Sequence, residues 1–293
     1  MSNSLVAEQG SNSPVAFAFI ESLAAELSTG KVQLPSFPDI AARVRQVLSD
    51  EFVSSKQIVR VVSAEPGLAA KLLQLANSAA LNPGGPRVTD LKSAISRIGL
   101  NLVRSAALTF AVEQMRASPE LARLRQPLGE LWERCVFVAA MSYVVARGCS
   151  QVNADTALLA GLMHGVGRLY ILARSADHPA LFADRAGYNE IVRDWHAGIA
   201  KSILENWEMS DEIVEAVAEH EDLTRDHDDE PDLTDVLTVA TLFVSFHAYP
   251  ESIELNMQAI TAFERMQLDH EDVAAILEES AEEVASLQAA LGS

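Results

Sequence analysis

Every apolar segment of this chain repeats at helical spacing, and nowhere does apolar/polar alternation run long enough to demand a sheet. Phe17, Ile20, Leu23 with Ala24, and Leu27 form one helical face that ends near Gly30. In Leu34-Pro35-Ser36-Phe37-Pro38 the two prolines favour an extended turn that delivers Asp39 as a cap for the stripe Ile40, Val44, Val47 and Leu48. Ser54 and Gln57 have capping-box spacing before Ile58, Val61 and Val62. Pro66 sits in a first helical turn, after which Leu68, Leu72, Leu75 and Ala76 face one way until Asn77-Ser78. Thr89 caps a helix that Gly99 terminates, and residues 102–115 start another. Residues 131–146 form a long apolar helix, and Asp155 caps the segment that leads into a glycine-rich stretch. Residues 195–207, 210–220 (capped by Ser210), 233–246 and 271–291 complete an all-α fold with short connections.

At 293 residues the chain can bury a substantial core, and one compact body of two helical lobes is expected. With 22 Lys and Arg against 41 Asp and Glu, the net charge is −19 with histidine neutral. Such a charge repels phosphate backbones and anionic lipid heads, so neither nucleic acid nor a membrane is an expected partner. Cys135 and Cys149 are too few for a disulfide-stapled secreted scaffold and lack the company of a thiolate zinc site, which fits a reducing cytoplasm. Met1-Ser2-Asn3-Ser4-Leu5 has no basic flank before an apolar core, and the apolar stretch at 15–20 is too short to span a bilayer.

Chemistry concentrates around Gly161-Leu162-Met163-His164-Gly165-Val166-Gly167. Each glycine along a helix costs roughly 1 kcal/mol relative to alanine, which close helix packing or space for a ligand would justify; without a second signal, packing is the better reading. The run is not a dinucleotide loop, because no strand precedes it. His196 shares a face with Ile199, Ala200 and Ile203, and His220 follows Ile213, Ala216 and Val217. Both read first as core histidines bonded to backbone or water. The alternative is that they converge with His164 on zinc, iron or nickel, which would still need a fourth ligand or an organised solvent position. His178, His227, His247 and His270 read as surface positions, and Asp228-Asp229-Glu230 as a solvated acidic loop. Asn77, with Ser78 after it, reads as a structural cap rather than a ligand group.

Four segments in order resemble the HDOD family, bacterial domains related to HD phosphohydrolases but associated with signalling output. They are Leu34-Pro35-Ser36-Phe37-Pro38, Glu65-Pro66-Gly67-Leu68 leading to Asn77-Ser78, Ala94-Ile95-Ser96-Arg97-Ile98-Gly99, and the run centred on His164. The resemblance implies an N-terminal helical lobe, residues 14–125, packed on a C-terminal HD-like lobe, residues 126–293. It also implies that Pro35, Pro38, Asn77, Ser78, Gly99, Gly161 and Gly167 serve structure or interaction. An active HD enzyme would carry Asp after His164, where this chain has Gly165. The earlier family histidine falls near Arg134 or Cys135 and the late aspartate near Thr241, while His196 and His220 match the accessory histidines. HD chemistry uses carboxylates with imidazoles to hold cations and lower the pKa of attacking water. The resemblance therefore implies no resident cofactor, or at most a weakly bound divalent metal on His164, His196 and His220. The expected function is a non-catalytic regulatory module that binds a bacterial signalling protein or a second copy of itself. Two alternatives stand beside it: a metal-dependent phosphohydrolase acting on a nucleotide or cyclic dinucleotide, and a small-ligand sensor without turnover.

Overall fold

The computed structural model describes residues 14–29, 34, 38–48, 54–227, 230–249, 251–254 and 256–292. Pro35, the side chain of Asp39 and the pair Asp228-Asp229 lie outside the described residues, while Pro38 is partly buried just before the second helix. The architecture is all-α, with no strand among the described residues.

The first half contains α1 (Pro14–Thr29), α2 (Asp39–Leu48), α3 (Ser55–Ser63), α4 (Pro66–Ala76) and α5 (Leu91–Ala117). Helix α3 opens on the expected capping box, Ser54 and Gln57 each satisfying the other's backbone N–H. Gly99 interrupts α5 as expected: its φ of 76° lies in the left-handed region that a side chain disfavours, so residues 91–98 and 100–117 run as two segments across a kink. The cap before α5 is Asp90 rather than Thr89, because the Asp90 carboxylate is the one that reaches the Ser93 N–H.

The second half contains α6 (Arg125–Cys149), α7 (Ala154–Met163), α8 (Val166–Arg174), α9 (Arg185–Asn206), α10 (Asp211–Glu219), α11 (Leu233–Phe246), the short α12 (Glu251–Glu254) and α13 (Thr261–Arg265), α14 (His270–Glu279) and α15 (Ala281–Gly292). Asn153, not Asp155, caps α7 through the Thr156 N–H. Ser210 precedes α10 without a side-chain cap bond. The helix expected over 271–291 is two helices that meet at Ser280, whose hydroxyl turns back to the Ile276 carbonyl.

Helix α6 is the central element, packed on α7, α11 and α15, while α5 gathers α2, α3 and α4 and touches α7. One continuous apolar core runs from Ala16 to Leu291. Contacts cross the 125/126 division at both ends of the chain. Helix α1 lies on α9, and its Glu26 also accepts hydrogen bonds from Tyr170 and Arg174 of α8. Helix α15 lies on α4, where buried Lys71 and exposed Gln74 donate to the Leu291 and Ala289 carbonyls, so cationic and polar groups meet the negative end of the α15 dipole. Two stretches, Leu91–Ala117 and Ala154–Asp177, are long and apolar enough to cross a membrane by composition. Their apolar windows are 61% and 89% buried within the protein, and the second is broken at His164 and Gly165, so both read as core.

Candidate functional site

Two glycines bring the histidines together. A Cβ on Gly161 would overlap the Ala139 Cα and lie 2.8 Å from the Ala139 N, so α7 rests directly on the α6 backbone. A Cβ on Gly167 would overlap the His196 carbonyl oxygen and lie 3.0 Å from the Ala200 N, so α8 rests on α9 in the same way. The third glycine of the run does not sit inside a helix as expected: α7 ends at Met163, His164 is its C-cap, and Gly165 precedes α8.

The three histidines are 4%, 3% and 2% exposed in chain order, so His164, His196 and His220 are all buried. His164 Nδ1 lies 2.6 Å from the Gly161 carbonyl and His220 Nδ1 lies 3.0 Å from the Val217 carbonyl. A carbonyl can only accept, so both rings carry the proton on Nδ1 and leave Nε2 as a lone pair. The two rings stand perpendicular with centroids 5.6 Å apart, and His220 Nε2 is buried without a hydrogen-bond partner, 3.9 Å from Glu221 Oε1.

His196 is engaged differently. Its Nε2 lies 3.1 Å from Glu221 Oε2 and 3.2 Å from Arg168 Nη2, and Arg168 Nη2 donates to Glu221 Oε1 at 2.7 Å. In either tautomer this nitrogen faces a partner, and the guanidinium closes the triangle. The His196 hydrogen bond, helped by the Arg168 charge against the opposing effect of burial, holds the Glu221 carboxyl well below the usual carboxylate range.

The positions matched to missing family ligands lie nearby. Cys135 is fully buried, and a Cβ on Gly165 would overlap its Sγ, so the thiol fills the space a side chain at 165 would need. Burial pushes the Cys135 thiol up to about 12, which keeps it protonated and inert. Arg134 donates to Ser245 Oγ at 2.7 Å, and Ser245 in turn donates to the Thr241 carbonyl. Thr241 Oγ1 is buried without a partner. Burial, and then the Arg168 charge, lowers the Arg134 pKa, which marks two guanidinium groups facing one region.

These residues do not fit a divalent metal. Two imidazole lone pairs are available at His164 and His220, but the third imidazole is committed to Arg168 and Glu221, and the guanidinium already brings a positive charge against that imidazole and carboxylate. The three histidines do not bring their ligand atoms within 4.8 Å of one another; among the described residues the His, Cys, Asp and Glu group that does is His227, Asp232 and Asp235. That second group is an ion network. Asp235 accepts from Arg265 at 3.2 Å and lies 3.1 Å from His227 Nε2, while Asp232 accepts from Arg225 at 2.7 Å. His227 is thus held in place rather than lying free at the surface, which corrects the sequence expectation.

Sequence reasoning missed Arg168 and Glu221. The available signals were local: Arg168 follows His164 by one helical turn, and Glu221 follows His220 directly.

Acid sensitivity follows from the two lone-pair histidines. Burial first, then the charge of His220, pushes His164 down to about 3; burial, opposed by the Glu221 charge, pushes His220 down to about 4. Each stays neutral in the folded chain while its unfolded counterpart takes up a proton below about 6.5. Stability is therefore full above that value and falls on acidification towards pH 4, by up to about 1.4 kcal/mol per pH unit for each histidine. Urea midpoints of metal-free protein measured from pH 7.5 to 5 are expected to fall, and His220→Gln to reduce the slope by about half. A flat profile would contradict this assignment of protonation states.

An open groove lies away from these histidines. Asn77 forms its inner edge, with Nδ2 donating to the Leu73 and Val88 carbonyls at 2.7 and 2.8 Å and Oδ1 accepting from the Val88 N–H at 2.8 Å. Its amide thus ties the end of α4 to the strand-like segment before α5 and closes the loop between them.

Comparison with known proteins places this architecture. The model of the HDOD domain family matches residues 34–223. Among solved structures, a provisionally named metal-dependent phosphohydrolase from Shewanella amazonensis SB2B superposes with a TM-score of 0.75 at 24% identity, covering 95% of this chain and 100% of that one. An HDOD domain protein of unknown function from Geobacter sulfurreducens gives 0.64 at 20% identity, covering 92% and 96%. A provisionally named signal transduction protein from Marinobacter aquaeolei VT8 gives 0.59 at 19% identity, covering 96% of this chain and 66% of that one. At these identities the likeness establishes the fold alone. No curated protein matches the chain. Because the family model spans well over half of the sequence, the chain belongs to the HDOD domain family.

Proposed function

We propose that this chain is a non-catalytic signal-transduction module that acts in the bacterial cytoplasm by binding a regulatory protein. The observation that carries the reading is the guanidinium of Arg168 set against His196 and Glu221, the imidazole and carboxylate that a metal would have to recruit. A fixed guanidinium supplies positive charge, but it holds no water to be activated as a nucleophile. The thiol packed on Gly165 supports the same reading, because no carboxylate can enter beside His164 while Cys135 occupies that space. The two unpaired cysteines accord with a reducing compartment.

The test is elemental analysis of freshly purified protein without a histidine tag, together with assays of phosphomonoester and cyclic dinucleotide turnover in added manganese or magnesium. The expected result is substoichiometric metal and no turnover. Stoichiometric metal with phosphoester turnover lost in His164→Ala would establish a phosphohydrolase instead. Saturable nucleotide binding without product would establish a sensor.

A further inference from the structure

The groove bounded by α4, the loop of residues 77–89 and α15 is used by nothing described so far. Its volume is about 960 Å³, at the upper end of small-molecule pockets, but it is open to solvent rather than enclosed. Leu73, Val88, Ala289 and Ala290 give it an apolar floor of small and aliphatic groups, and no aromatic side chain lines it. A nucleobase would find no stacking surface there.

Its polar groups form a consistent set. Although the chain carries 41 Asp and Glu, none among the described residues lines this groove, and Arg87 is the one charged lining residue among them. Arg97 stands behind the same wall: it donates to Asn82 Oδ1, and its Nη1 would lie 3.5 Å from a Cβ on Gly85. Neither guanidinium pairs with a carboxylate among the described residues. Ser78 Oγ is buried at the groove without a hydrogen-bond partner, and Ser286 accepts from the Ala80 N–H, which leaves its own O–H to donate.

From this arrangement we infer that the groove docks an extended peptide segment of the partner protein, one that carries an Asp or Glu side chain between small aliphatic residues. The carboxylate pairs with Arg87, the aliphatic side chains cover the floor, and a backbone carbonyl accepts from the Ser286 hydroxyl. An open trough suits an extended chain better than a compact metabolite, which needs enclosure on most sides. The inference rests on the recognition reading above and adds to it the face and the chemistry of the partner.

The probe is a random heptapeptide library displayed on phage, selected against the intact chain and against Arg87→Glu. Arg87 is exposed, so the variant should keep the melting temperature of the parent. Enrichment of peptides bearing Asp or Glu beside Ala, Val or Leu is expected. A synthetic consensus peptide should bind Arg87→Glu at least tenfold more weakly, and Ala289→Arg, which fills the floor, should abolish binding. No enrichment, or enriched peptides indifferent to both substitutions, overturns the proposal. Inorganic phosphate or glutarate saturating the groove as tightly as the peptide also overturns it, in favour of a small anion. Failed selection without phosphoester turnover removes the docking face alone, whereas turnover removes the recognition reading itself.

Discussion

Gly167→Ala is expected to destabilise the protein by about 3 kcal/mol or more, because its added methyl makes the closest backbone contact of any described glycine. The added carbon would overlap the carbonyl oxygen of His196, with the carbonyl carbon 2.8 Å and the Ala200 N 3.0 Å away. Those are backbone atoms of α9, so no rotamer change relieves the contact and α8 must move away from α9 as a whole. That movement would also pull Arg168 from His196, because Arg168 is the next residue along α8. Gly198→Ala supplies the control on α9. Nothing lies within 4 Å of a Cβ at 198, so removing glycine from that helix interior should stabilise by roughly 0.5–1 kcal/mol. Urea denaturation of both variants decides the matter: equal effects, or a neutral Gly167→Ala, would mean that α8 and α9 do not approach as closely as described.

This pair shows where sequence reading stops. Gly167 and Gly198 are both glycines on or near a helix, and their opposite expected signs depend on a neighbour more than twenty residues away. The capping box at Ser54 and Gln57 was legible because both partners lie within one turn, and the break at Gly99 because a backbone conformation is a local property. Cap positions slipped by one or two residues at Asp90 and Asn153, where several capping residue types stand together and only the folded backbone selects among them. His227 was misjudged because its partners on the far side of the acidic loop, Asp232 and Asp235, first appear as a helix cap. His196 and His220 were legible as buried groups from their apolar helical faces, and His164 as a candidate from the glycines around it. Their electrostatic setting was not, since Arg168 and Glu221 meet only when α8 and the end of α10 pack on α9.

Restoring an aspartate beside His164 is expected to fail when attempted alone. Gly165→Asp would place its Cβ on the Cys135 sulfur and bring a carboxylate into a buried position, which together cost about 3 kcal/mol or more. Cys135→Ala removes the obstructing atom at the price of a small cavity, so the double variant should be more stable than the sum of the two single effects by about 1–2 kcal/mol. A double-mutant cycle of urea midpoints at pH 7 measures this coupling, and a value near zero would show that the thiol is not what closes the position. The double variant should still bind manganese no better than the parent in calorimetry. Arg168 continues to hold His196 and Glu221 at 3.2 and 2.7 Å, and a divalent ion would enter against its charge. Adding Arg168→Ala releases that imidazole and carboxylate, and measurable manganese affinity is expected only in the triple variant. Affinity already present in Gly165→Asp with Cys135→Ala would show that the carboxylate alone was limiting. Affinity absent from all three would place the loss in the wider geometry of the histidines rather than in the guanidinium between them.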